Sequence, residues 1–382
     1  MAAAPPSALP GAVSPAAPLR PPPRDPRLDI VRGWMQVSIF VSHVVGTWLA
    51  WGIHAAWGVS DSSEQFVFLS GLVLGSVFTL KAARDGAAVA RADLMRRTRH
   101  LYRTHLLVLA TFALLVLAAD RVLPGEVARL GWGWLVEAPW LAVPAAASLH
   151  WQPAFMGILP VFIWGMLLLG PFLWLAGRVG AAALLPPVLA WAAVQAGWIA
   201  TPGFGETGIA FDPLAWQLLF LLGAWLGRRA LLTGAAVPRH PALVATAAAV
   251  VLVGFWARLV THGFIAGPEA TSLALAGKEI LPPARLVHAL ALAYLVAVLV
   301  PRRAAWMDSA PAAFLALIGR HSLQVFCVGL PLAWGISHAL ARWGGGLPLL
   351  DLALVGAGVA VLAGVAWSRE RRVPARLAPA AT

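Results

Sequence analysis

The sequence predicts an all-α integral membrane protein with about ten transmembrane helices and both termini in the cytoplasm. Three observations carry that prediction. Of the 382 residues, 60% are hydrophobic and only 12% charged, about half the charge of a soluble domain, and mean hydropathy is +0.78. Apolar segments long enough to cross about 30 Å of hydrocarbon recur along the chain. Basic residues concentrate on alternate connections, as positive-inside sorting requires. Composition therefore excludes a soluble enzyme and a largely disordered chain. The net charge of +12 would point to nucleic acid in a soluble protein; here its placement points to membrane lipids, and no nucleic-acid partner is expected. The single cysteine, Cys327, excludes an intramolecular disulfide framework and a multi-cysteine metal site, and no metal is expected. Nineteen Trp against two Tyr suits a chain with many membrane–water boundaries.

Taken in order, residues 1–28 are Pro/Ala-rich, contain Arg20, Arg24 and Arg27, and lack an apolar run. They read as a disordered cytoplasmic tail rather than a secretory signal. Residues 29–368 form one membrane domain, because no polar stretch is long enough for a second, and 369–382 form a basic cytoplasmic tail. Spans fall near 33–53, 64–81, 102–120, 155–177, 181–199, 213–230, 242–262, 284–301, 315–341 and 347–368. The Pro-containing stretch 132–149 reads as a partly buried outer loop, with a broken or re-entrant helix as the alternative. Segment 315–341 is overlong, and its start is placed in the cytoplasmic headgroup layer. With the N-terminus inside, only Arg121, Arg129, Arg258, Lys278, Arg285 and Arg342 fall outside, leaving 22 of the 28 Lys and Arg on the inner face. Ten of the 16 acidic residues fall outside, so the outer face is mildly acidic.

Polar side chains inside apolar runs mark the candidate site, since an ionisable group near the bilayer centre costs at least about 2.5 kcal/mol. His43 is the clearest case. Arg32 stands eleven positions earlier on the same helix; eleven steps of about 100° return to the same face after a rise of about 16 Å. Arg32 is thereby placed at the inner surface and His43 near mid-membrane. An interhelical hydrogen bond is the bland alternative for His43. At the outer end of the second span, Asp61 and Glu64 have capping-box spacing. Glu64 is also positioned to orient or protonate His43, and Ser70 follows in the same helix. The run Arg96, Arg97, Arg99, Arg103 enters the third span from the cytoplasm, with His105 about one turn deeper. Anchoring to anionic lipid explains such a cluster; so does a landing site for a polyphosphate-bearing cofactor, which arginine forks grip. Arg320, His321 and Gln324 cluster at the inner end of the ninth span and suggest a cavity wall.

These segments resemble a known family. Arg32-x10-His43 is similar to the arginine–histidine signature of membrane acyltransferases of the acyltransferase-3 type. The chain as a whole resembles the OpgC family of osmoregulated periplasmic glucan modification proteins, through ordered blocks at Arg27–Gly33, Ser60–Gly71, Leu101–His105, Phe211–Gln217 and Gly319–Phe326. The resemblance implies a multi-pass enzyme of the bacterial inner membrane. It would move an acyl group, typically succinyl, from cytoplasmic acyl-CoA (succinyl-CoA) to hydroxyls of a periplasmic glucan or another envelope polysaccharide. Two positions depart from the pattern: Asp212 stands where Asn is expected, and Gly157 where an acidic residue is expected.

On that chemistry, the donor's phosphates meet Arg32 and the Arg96–Arg103 cluster, and the thioester lies beside His43. His43 acts as general base or as transient acyl carrier, Glu64 fixes its tautomer, and Gln324 holds the oxyanion. Two other classes remain open: a proton-coupled exporter or flippase of a sugar or lipid-linked substrate using His43 and Glu64 as a relay, and a non-catalytic subunit of an envelope assembly. The first lacks repeated halves with matching Gly/Pro breaks.

Overall fold

The computed structural model describes residues 19–268, 277–343 and 347–372. Residues 1–18 and 373–382 of the two expected tails lie outside them. Helix α1 (Pro26–His43) starts inside the expected tail, because Asp25 caps it: its carboxylate accepts the Arg27 amide at 3.1 Å and Pro26 occupies the first turn. The following helices are α2 (Ser62–Asp85), α3 (Ala87–Asp120), α4 (Glu126–Arg129), α5 (Gly133–Glu137) and α6 (Pro139–Ala147). Next come α7 (Ile158–Val179), α8 (Leu185–Gln195), α9 (Pro213–Thr233), α10 (Pro241–Thr261) and α11 (Pro283–Leu299). The last three are α12 (Ala310–Arg320), α13 (Ser322–Trp343) and α14 (Pro348–Glu370).

Among the described residues, six helical runs are long and apolar enough to cross a membrane: Ser62–Asp85, Ala87–Asp120, Ile158–Gln195, Pro241–Thr261, Ser322–Trp343 and Pro348–Glu370. The protein is accordingly an all-α, multi-pass membrane protein.

Four segments differ from expectation, each for a visible reason. The span expected at 33–53 is helical only to His43. Gly46 then turns the chain at φ +87°, and the Asp351 carboxylate of α14 accepts Thr47 Oγ1 at 2.7 Å and the Trp48 amide at 2.8 Å, pinning the break. The span expected at 315–341 is two helices parted at His321, whose ring is held by Glu370 at 2.5 Å. Helix α3 has 34 residues, about 51 Å at 1.5 Å per residue, so its basic first turns extend beyond the hydrocarbon. Residues 181–199 yield only the 11-residue α8 after a 3-10 turn.

The stretch 132–149 folds back along α3 as α5 and α6. Asp120 at the end of α3 accepts the Val127 amide at 3.0 Å, Phe112 stacks on Trp132 at 6.1 Å, and Tyr102 donates to the Ala147 carbonyl at 2.8 Å. From Asp120 to Tyr102 is about 27 Å of helix, so the segment turns inward and does not lie flat as a loop.

The central crossing joins α2 to α9. A Cβ on Gly71 would strike the Phe220 carbonyl and one on Gly75 the Ala224 carbonyl; reciprocally, Gly223 and Gly227 face the Phe68 and Leu72 carbonyls. Two four-spaced glycine pairs thus let the backbones touch, which is how helices gain packing where water supplies no drive. The same device joins α1 to α12 through Gly33 and Gly319. Beside the first crossing lies the largest apolar cluster, with Val67, Leu169, Trp216, Leu219 and Phe220 fully buried. Gly71→Leu is expected to cost about 3 kcal/mol or more, because a backbone carbonyl cannot yield as a side chain does. Gly335→Leu, where a Cβ meets only open space, is the control. Fluorescence-detected size exclusion after a heat step reads both, and equal survival would refute the crossing's role.

Candidate active site

The site assembles where α1 ends. His43 is the last residue of α1, and its Nδ1 lies 2.7 Å from the Ile39 carbonyl. A carbonyl only accepts, so Nδ1 carries the proton and Nε2 is left with its lone pair. The ring packs on Phe155 with centroids 5.4 Å apart. His43 lines a cavity of about 270 Å³ with Ile39, Ser42, Asp61, Ser62, Ser63, Gln152, Phe155, Gly157, Phe211, Lys278 and Phe326. Helices α1, α2, α7 and α13 and four connecting segments therefore meet there.

Asp61 reaches this cavity, and Glu64 does not. Glu64 is fully buried; its Oε2 accepts the Asp61 amide at 2.9 Å and its Oε1 accepts Arg285 Nε at 2.6 Å. The expected contact from Glu64 to His43 is absent, and the Ile39 carbonyl does the orienting instead. The capping box holds: Asp61 Oδ1 accepts the Ser63 amide at 2.8 Å. Its Oδ2 pairs with Lys278 at 2.6 Å and Arg285 at 3.1 Å. Burial works to raise the Asp61 pKa, but Lys278 and Arg285 outweigh it and hold the carboxyl well below the usual carboxylate range.

A second opening, a cleft of about 890 Å³, is lined by Arg96, Arg97, Arg99, His100 and Arg103 of α3 together with Leu74, Leu101, Met166 and Leu323. Arg96 and Arg97 also pair with Asp93, the latter at 3.0 Å. Among the described residues, Arg99 and Arg103 have no carboxylate partner. Leu323 lines the cleft and Phe326 lines the His43 cavity. These residues are three apart on α13, about 4.5 Å of rise, so along that helix the walls of the two openings come within one turn of each other.

Buried polar atoms with no partner include Arg32 Nε and Gln36 Nε2 on the His43 face of α1, and His105 Nδ1 one turn beyond Leu101 on α3. Native proteins rarely leave such groups unpaired. Gln36 and His43 also share a narrow slot against Phe326 and Gly329.

The remaining expected residues lie elsewhere. Arg320 and His321 grip Glu370 of α14, at 3.0 and 2.5 Å. Ser70 and Gln324 are half-buried and line neither opening. Among the described residues, no three His, Cys, Asp or Glu are grouped to hold a metal ion.

Compared with protein families, the chain matches the model described as "OpgC protein" over residues 24–373. This chain belongs to the OpgC family. No curated protein and no solved structure matches it. Both departures noted in this OpgC chain have structural counterparts. Asp212 caps α9, accepting the Leu214 amide at 2.8 Å, Thr201 Oγ1 at 2.6 Å and the Thr201 amide at 3.1 Å. Three donors onto one side chain suit a carboxylate better than an amide. At Gly157 a Cβ would lie 2.5 Å from Ala210 Cβ and 3.0 Å from Phe211, so the wall has no room for an acidic side chain there. Asp61 is the cavity's carboxylate. Sequence reasoning missed Lys278, Arg285 and Phe155. A signal existed for the first two: buried acids at Asp61 and Glu64 demand cations on the same face, and few outer basic residues are available to supply them.

Proposed function

We propose that this OpgC-family chain is a ten-span O-acyltransferase of the bacterial inner membrane, with both termini and the flanking tails 1–28 and 369–382 cytoplasmic. It transfers a succinyl group from cytoplasmic succinyl-CoA to hydroxyls of a periplasmic glucan. One observation carries the reading: a base-competent imidazole lines a cavity whose wall residue Phe326 stands one turn along α13 from Leu323 of an arginine-lined cleft. Family membership, with the acyl transfer it implies, supports the same conclusion.

The donor's phosphates lie against Arg99 and Arg103, with Arg96 and Arg97 beside them. Its amide-bearing arm meets the unpartnered Arg32, Gln36 and His105, which brings the thioester to His43. Nε2 of His43 takes the proton of the acceptor hydroxyl as that oxygen attacks the thioester carbonyl. The oxyanion is held by Ser62, whose buried hydroxyl has no partner and stands in the positive first turn of α2; Ser62 lines the cavity and Gln324 does not. Collapse breaks the C–S bond, and the thiolate leaves with the proton from His43. Asp61 and Glu64 hold the outer wall in place.

Mass spectrometry of periplasmic glucans tests the reading. Cells carrying the chain are expected to gain succinyl increments that cells without it lack; no acyl increment on glucans or any other envelope polysaccharide would sink it. Arg32→Ala is expected to raise the apparent KM for acyl-CoA about tenfold with a smaller change in kcat, the mark of lost ground-state binding. An unchanged KM would remove Arg32 from the donor path.

A further inference from the structure

We infer that Lys278 is the subsite for a terminal carboxylate on the transferred acyl group, so that the cavity selects dicarboxylic over neutral acyl donors. The inference rests on the acyltransferase reading above and adds to it the residue that reads the acyl chain's far end.

Lys278 is the one fixed cation among the described residues lining the His43 cavity. Its backbone is held rigidly. Gly277 turns the chain at φ +74°, Trp216 Nε1 donates to the Lys278 and Glu279 carbonyls at 3.1 Å each, and the Asp212 amide donates to Glu279 at 2.8 Å. The Lys278 side chain is about one-third exposed, with its ammonium 5.5 Å from the Phe211 ring centroid.

Charge counting shows why Asp61 does not use Lys278 up. Asp61 has Arg285 as a second partner, and Arg285 also holds Glu64. Arg258, whose Nε donates to the Gly58 carbonyl at 2.7 Å, lies within electrostatic reach of all three. Three cations therefore surround Asp61 and Glu64; Asp212, whose amide meets the Glu279 carbonyl, spends its own carboxylate on Thr201 and the Leu214 amide, and Glu279, next in the chain, is exposed and makes no ion pair among the described residues. One surplus positive charge in a largely apolar setting favours one bound anion.

The dimensions agree. A cavity of about 270 Å³ is on the order of 8 Å across, below the usual range for a whole ligand but sufficient for an acyl group and the reacting hydroxyl. Three C–C bonds of about 1.5 Å place a succinyl carboxylate roughly 4 Å from its thioester carbon. The rest of the wall is apolar, as at Ile39, Phe155 and Phe326, or neutral and polar, as at Ser42, Ser63 and Gln152; a carboxylate against the apolar part would lie unpaired at high cost. Lys278 is therefore the lining residue that offers the free end of a succinyl group an opposite charge.

The test is calorimetric titration of the detergent-purified full chain with succinyl-CoA and with butyryl-CoA, which matches its length without the charge. Wild type is expected to favour succinyl-CoA about 10- to 100-fold, the size of one charge-assisted hydrogen bond. Lys278→Met brings that ratio near one, and Lys278→Arg preserves it. A wild-type ratio near one, or a Lys278→Met protein that keeps the wild-type ratio, overturns the inference. Transfer assays on the same samples test the underlying reading separately. If neither donor is turned over, the acyltransferase assignment falls, while the titration still decides Lys278.

Discussion

His43→Ala is expected to lower acyl transfer by about 10³-fold, the usual contribution of a positioned general base, while the protein still inserts and folds. Folding is spared because the ring's one hydrogen bond to another residue's backbone runs within its own helix, to Ile39 at 2.7 Å, and its other notable contact is the Phe155 ring. His43→Asn sharpens the result. Its side-chain amide retains a donor near the Ile39 carbonyl but offers no base, so it is expected to fall as far as alanine. Rates of CoA thiol release by purified variants, normalised to monodisperse protein, measure both. Activity within tenfold of wild type in either variant would remove His43 from the chemistry and reopen the exporter and scaffold alternatives.

Arg285→Met is expected to be the most damaging single change to stability, at about 3–5 kcal/mol. Arg285 is almost fully buried and its Nε holds the fully buried Glu64 at 2.6 Å. Methionine matches the stem but leaves Glu64 charged and unpaired. Lys278 does not substitute, because its Nζ lies on Asp61 Oδ2 at 2.6 Å and makes no ion pair with Glu64. Glu64→Gln combined with Arg285→Met removes the stranded charge and is expected to recover at least half the loss. Thermal midpoints of the two variants in detergent decide the matter: a double variant no more stable than the single one would show that the pair contributes little.

The fold was legible where it depends on composition. The apolar run at 64–81 falls inside α2 and that at 242–262 matches α10 to within one residue at each end, because burial in hydrocarbon responds to hydropathy averaged over some twenty residues. Breaks within such runs were not legible. The end of α1 at His43 depends on Asp351, some 300 positions away, and the division at His321 involves Glu370. Neither partner leaves a trace in the local pattern. The glycine pairs 71/75 and 223/227 were visible as spacing, but only the crossing of α2 and α9 identifies them as contacts.

The candidate site divides in the same way. Arg32, His43 and the arginines of α3 stand out because charge in an apolar run is costly wherever the run packs. Glu64 has the right chemistry and the wrong neighbours: its two oxygens are taken by Arg285 and the Asp61 amide. From sequence alone, then, come the membrane class, the family resemblance and the Arg32–His43 helix face, all of which follow from local residue patterns. The tertiary structure alone decides which acid lines the His43 cavity, that Lys278 joins it, and that the walls of cleft and cavity come within one turn of each other on α13. Ion pairs and cavities are set by which distant segments meet, and a one-dimensional pattern does not encode that meeting locally.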